Sequence, residues 1–272
     1  MGHFEPNYDA DNPILRAGQP VVETENLTDA FTREAESFIT RYKAQPFFLY
    51  LSYNAVHSPM QGADAYMQKF AHIPDVHRRI YAAMLSHLDD GVGRVLARLR
   101  AEGLTQRTLV VFLSDNGGPT RELTASNAPL RGGKGDLLEG GVRVAFLMQW
   151  PSRLPAGRVE PRMISTLDLF PTFVKAAGGA IPTGLDGVDL LGPLAAADDA
   201  PMRERHFWRL APKAALLEGD WKIHRQRMDQ PWQLYHLPAD PAEEHDLSAQ
   251  EPARRAALVA VWEELSAEMA VP

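Results

Sequence analysis

The sequence contains no cysteine, so disulfides, thiolate metal sites and cysteine nucleophiles are excluded from these 272 residues. Long apolar runs are also missing: no stretch approaches the roughly 20 residues that a membrane-spanning helix needs. Nor is there an excess of positive charge. The chain has 28 basic and 35 acidic side chains, a net charge of -7, which argues against a nucleic-acid surface. A small anionic ligand is still compatible with this balance, because a local cationic pocket can sit in a globally negative protein. Met1 to Asp11 lack the charged head and apolar core of a secretory signal, and as it stands the sequence reads as cytoplasmic. A hydrophobic content of 45% places the chain among globular rather than disordered proteins.

Periodicity gives a first division of the chain. Residues 1–26 are broken by Pro6, Pro13, Gly18 and Pro20 and read as loop. A helix is expected from Asp29 to Tyr42, capped by Thr28 or Asp29, with Phe31, Ala35, Phe38, Ile39 and Tyr42 on one face. Phe47 to Tyr53 is apolar on both faces and reads as a buried strand of a parallel sheet. A long helix follows from Val76 to Ala101, with Ile80, Met84, Leu88, Val92, Val95 and Leu99 as its stripe. Further strands are expected at Thr108 to Leu113 and Val142 to Trp150, and a loop entering a helix at Ile164 to Val174. Beyond a Gly-, Pro- and Ala-rich connector at 180–202, short alternating runs at His206 to Leu210, Trp221 to Arg225 and Gln233 to Leu237 precede a final helix from Ala253 to Met269. The expected architecture is α/β: a mainly parallel sheet with helices over residues 1–200, then a small antiparallel sheet with one helix over 201–272.

Loops at the carboxyl ends of the expected strands carry the candidate chemistry, since open α/β sheets place their sites there. Asp115 and Asn116 follow a strand without a gap and offer oxygen donors suited to calcium or magnesium. Asp-Asn-Gly is equally good turn chemistry. Lys134, between Gly133 and Gly135, is a point charge on a backbone that can approach an anion closely, or else a solvated lysine in a soft loop. Arg131 could supply the same charge. His57, before Ser58 and Pro59, could donate to an anionic oxygen or act as acid or base, and is as readily structural. His87 reads as a packed or hydrogen-bonded helix residue. Together, hard oxygen donors, a glycine-flanked lysine and a loop histidine suit a bound oxyanion, either sulfate or phosphate.

The segments PFFLYLSYNAVHSP (46–59), YAAMLSHLDDGVG (81–93), VVFLSDNGG (110–118) and LRGGKGDLLEGGVRV (130–144) resemble the type I sulfatases of the alkaline-phosphatase-like superfamily. STLDLFPT (165–172), Asp220-Trp221-Lys222 and Leu234-Tyr235-His236-Leu237 add weaker similarity. The resemblance implies a sandwich fold whose sheet is truncated, and hydrolysis of an aryl or sugar sulfate. It implies Asp115 and Asn116 as ligands of a divalent cation, usually calcium, with the rest of the ligand set missing, and His57 and Lys134 as sulfate contacts. It further implies that the chain is the C-terminal portion of the family, without the nucleophile half. In that family a Cys or Ser, followed two places on by proline, becomes formylglycine. Here there is no cysteine, and no serine has that proline. Gln149-Trp150-Pro151-Ser152-Arg153 imitates the motif, but glutamine cannot become an aldehyde, and a Trp-Pro turn is expected there. The expected partner is a sulfate-ester small molecule or sugar, with no nucleic acid and no membrane, and the parent family is often exported. Alternative readings are a non-catalytic fragment, one half of a split sulfatase completed by a separate N-terminal half, and a phosphate- or phosphonate-ester hydrolase of the same superfamily.

Overall fold

Asn26 stops the chain from remaining extended: its side chain accepts from the Thr28 amide at 3.0 Å and starts helix α1, Leu27–Tyr42, two residues before the expected cap. The computed structural model describes residues 13–120, 124–196 and 200–269, and the chain divides into two compact units, residues 1–105 and 106–272.

In the first unit a short hairpin, β1 (Leu15–Arg16) and β2 (Gln19–Pro20), precedes α1, where loop was expected. Ala17 and Gly18 both take positive φ in its turn, the conformation a two-residue hairpin loop demands. After α1 come α2 (Asp64–Lys69) and α3 (Val76–Ala101), the latter with the limits the apolar stripe predicts. The most buried seam of α3 runs through Ala83, Met84, His87 and Gly91, beside the Leu and Val stripe. Small residues there allow close approach. At Gly91 an added Cβ would lie 2.8 Å from Thr32 Oγ1 of α1. His87 is buried and pairs through Nε2 with Asp29 at 3.0 Å.

The expected parallel strand at Phe47 to Tyr53 is corrected. The segment is extended but pairs in no sheet, and Phe48 and Tyr50 are 67% and 81% exposed. Phe47, Leu49, Leu51 and Tyr53 are half-buried, so only alternate side chains are covered. Apolar residues at successive positions imitate burial on both faces without producing it.

The second unit contains β3 (Val110–Leu113), α4 (Glu139–Val142), β4 (Phe146–Gln149), α5 (Leu169–Ala176), α6 (Leu191–Ala195), β5 (Arg205–Leu210), β6 (Lys213–Glu218), β7 (Trp221–Arg225), β8 (Gln233–His236) and α7 (Pro252–Glu268). β3 pairs antiparallel with β4, and β5-β6-β7-β8 form an antiparallel meander. The expectation of a mainly parallel sheet is therefore overturned: every sheet among the described residues is antiparallel. A parallel partner needs a crossover, usually a long helix. Between β3 and β4 the described chain holds only the single turn of α4, and it returns beside β3 in the opposite sense. The sheet's core is Ala214, Leu216, Ile223, Trp232 and Leu234, covered by Leu258 and Trp262 of α7.

Candidate functional site

The second unit builds its candidate site from glycine packed on glycine. Gly117, in the loop after β3, lies so close to α4 that a Cβ would fall 1.8 Å from the Gly140 carbonyl oxygen. At Gly133 a Cβ would fall 2.4 Å from the Gly118 oxygen. No other residue type allows backbones this near, which gives the SDNGG and GGKG…EGG motifs a common physical reason. The interlocked backbones are bonded directly: the Gly117 amide donates to Gly141 O at 3.0 Å, and the Lys134 amide to Gly118 O at 3.3 Å. Asn127 staples the loops, accepting from the Gly118 amide at 2.9 Å and donating to the Gly118 and Gly132 carbonyls at 2.9 and 3.0 Å. The loop after β3 and the Lys134 loop thus form one assembly, with the Asp115 and Lys134 side chains exposed.

Asp115 and Asn116 are bonded to each other, Asn116 Nδ2 donating to Asp115 Oδ2 at 2.5 Å. Their oxygens have the hardness a calcium or magnesium ion prefers, but such an ion takes about six to eight of them, or six in strict octahedral geometry. Among the described residues no group of three or more His, Cys, Asp or Glu side chains is placed to hold a metal ion. The pair is therefore too small to fit a divalent cation by itself. His57 belongs to the first unit, in an exposed turn closed by its amide donating to Asn54 O at 2.8 Å, with Nδ1 2.7 Å from Ser58 O. The motif-like segment 149–153 is the end of β4 and the turn that follows it. Trp150 is buried, its Nε1 donates to Gln106 O at 3.2 Å, and Arg153 stacks on the ring at 4.4 Å.

Sequence reading missed the side chains that hold the Lys134 loop. Arg131 donates to the Tyr235 hydroxyl of β8 at 3.1 Å. Asp136 takes an ion pair from Lys213 at 3.0 Å and a hydrogen bond from Gln226 at 3.2 Å, and Lys213 also donates to the Gly135 carbonyl. Burial raises the Asp136 carboxyl, but these donors outweigh it and hold the group below its ordinary value. Glu139, at the start of α4, is buried against Lys222 of β7 at 2.8 Å, and its amide donates to Glu243 at 2.6 Å. Lys222 and Glu243 are fully buried and paired at 3.0 Å. Burial raises the Glu243 carboxyl against the pull of Lys222. No local signal marked this lysine: Lys222 takes a polar place in the alternation Trp221-Lys222-Ile223-His224 and reads as solvent-facing, yet it is fully buried.

A sulfatase family model matches residues 2–180, and an "N-sulphoglucosamine sulphohydrolase, C-terminal" model matches residues 134–270. The expectation that only a C-terminal portion of the family is present is thereby corrected, because domains of both kinds are matched over nearly the whole chain. It rested on the missing nucleophile motif and the incomplete ligand set, and missing site residues do not establish a missing domain. Mouse steryl-sulfatase is 38% identical over 71% of this chain and 31% of its own length. N-acetylgalactosamine-6-sulfatase from dog is 32% identical over 79% and 41%, and a sulfatase from Formosa agariphila is 31% identical over 93% and 50%. The chain thus spans a third to a half of the length of these relatives. The crystal structure of Ps i-CgsB superposes with a TM-score of 0.87 at 36% identity, covering 94% of this chain and 58% of that one, as does its complex with k-i-k-neocarrahexaose. No helix among the described residues is long and apolar enough to cross a membrane.

Proposed function

The chain belongs to the sulfatase family, and from that premise we propose that the Lys134 loop holds the sulfate group of a sulfate ester while none of these residues supplies the nucleophile that would cleave it. The observation carrying this reading is the backbone interlock that holds Lys134, glycine-flanked, against the loop of Asp115 and Asn116. The Lys134 ammonium provides donors for sulfate oxygens, and the adjacent glycines let an anion approach the backbone. Asp115 and Asn116 are proposed as contributors to a divalent-cation site, calcium by family habit, that needs more oxygens than they offer. For His57 as a further sulfate contact, the support is its motif alone. Residues 1–200 are proposed as the sulfatase-type region and 201–272 as a small α+β subdomain. A sugar is the favoured ester, supported by the relative solved with k-i-k-neocarrahexaose.

Sulfuryl transfer needs an oxygen nucleophile in line with the leaving group. The chain has no cysteine, and no serine in the required setting, to become the aldehyde hydrate. Holding the ground state alone does not lower the barrier.

Titration of the ¹⁵N-labelled chain with inorganic sulfate at constant ionic strength tests the site. Saturable shifts of the 132–135 amides that vanish in Lys134→Ala are expected. Absence of saturable shifts, or shifts indifferent to Lys134→Ala, would remove the reading. A stronger response to inorganic phosphate would reassign the site to a phosphate ester.

A further inference from the structure

The loop that carries Lys134 cannot fix itself. Gly132, Gly133 and Gly135 surround the lysine, and Gly132 and Gly135 take positive φ, so this backbone is soft and costly to order. Besides the bonds to Gly118 and Asn127, side-chain anchors come from β6, β7, β8 and the segments that follow them, and they bracket Lys134 in the chain. Arg131 before it is tied to Tyr235, Gly135 and Asp136 after it to Lys213 and Gln226, and Glu139 to Lys222 and Glu243. The last of these is the most demanding. Lys222 and Glu243 are fully buried and Glu139 is 5% exposed, so one ammonium is shared between two buried carboxylates. Arg143 approaches Glu139 at 4.0 Å but is largely exposed.

A buried ion cluster is a poor choice for stability alone, since apolar side chains of similar volume usually do as well. It does supply direction. Glu243 accepts the Glu139 amide at 2.6 Å through one oxygen and faces Lys222 with the other, which fixes both where α4 begins and how the chain enters it from Lys134. We infer that the Lys222–Glu139–Glu243 cluster is a positioning device by which the C-terminal sheet sets the Lys134 loop for its anion. Lys222 and Glu243 are positioning residues, acting through Lys134. The anion half of this inference rests on the sulfate reading above, whereas the loop-ordering half does not.

Hydrogen exchange and sulfate titration of the full chain test both halves. Glu243→Ala is expected to speed exchange of the 131–141 amides at least about tenfold while the amides of β5 to β8 stay protected, because it strands the Glu139 amide and leaves Lys222 with Glu139 as its one carboxylate. Sulfate affinity should fall by a similar factor. Glu243→Gln keeps an acceptor for the Glu139 amide and should restore most of both. Unchanged loop exchange in Glu243→Ala would overturn the inference, as would equal loosening of the sheet and the loop. If the wild-type chain binds no sulfate, the sulfate reading fails by itself and the exchange result still decides. If Glu243→Ala does not fold, Lys213→Met, which removes a half-buried surface anchor, takes its place. Faster exchange confined to 134–136 supports the anchoring, and no change contradicts it.

Discussion

His224 lies on β7 at 2% exposure, beside the lysine that pins the Lys134 loop. Burial, and then the charge of Lys222, lower its pKa from 6.5 to about 4. His206 on β5 is likewise lowered to about 4, by burial and then by Arg203. The sign follows from linkage: between pH 6.5 and 4 the unfolded chain binds protons that the folded rings refuse, so stability falls as pH falls through that window and levels off below it. Thermal stability should therefore fall from pH 7 to pH 4, with His224 accounting for at most about 3 kcal/mol of the loss. His224→Gln should flatten part of the slope, and a slope unchanged in that variant would contradict the assignment. At this scale the sequence was informative where residues are adjacent in the chain. Asp115-Asn116 and the glycine-flanked Lys134 stood out as motifs because each reads locally. Lys222 and Glu243 did not, because their partner Glu139 lies 83 positions from Lys222 and 104 from Glu243, and nothing local reveals what a buried charge faces.

Among the elements, α3 was the most legible, since 26 residues of helical period leave little choice of limits. Its packed seam was less so. The Leu and Val stripe suggested the contact line, but Ala83 and Gly91 make the close approach. Two glycines on this helix separate propensity from packing. Gly93 has open space around an added Cβ, so Gly93→Ala should stabilise the chain by about 0.5–1 kcal/mol. Gly91→Ala would press on Thr32 Oγ1 at 2.8 Å and Tyr53 OH at 3.3 Å, whose mutual hydrogen bond is 2.8 Å, and should destabilise it by about 1–3 kcal/mol. Urea unfolding distinguishes them, and shifts of the same sign would refute this account of the seam. Strands were harder. Phe47 to Tyr53 has the composition of a buried strand and half the burial, because composition reports side chains and not neighbours. β6 escaped notice because Lys-Ala-Ala-Leu-Leu-Glu is made of good helix formers, overridden by pairing with β5 and β7 on either side.

For the molecule as a whole, family membership was visible in ordered motifs, while the sense of the sheets was not. Antiparallel pairing depends on what lies between strands, and the glycine-interlocked return from β3 to β4 has no periodic signature. The chain spans a third to a half of the length of its relatives and has no cysteine. We propose for these residues a sulfate-holding loop, anchored by the C-terminal sheet, without a nucleophile among them. The most direct test is release of a chromogenic phenol from its sulfate ester by the purified chain, with and without calcium. No release above the buffer rate is predicted in either condition. Release by the wild-type chain that disappears in Lys134→Ala would contradict the account and show that these residues form a working sulfatase.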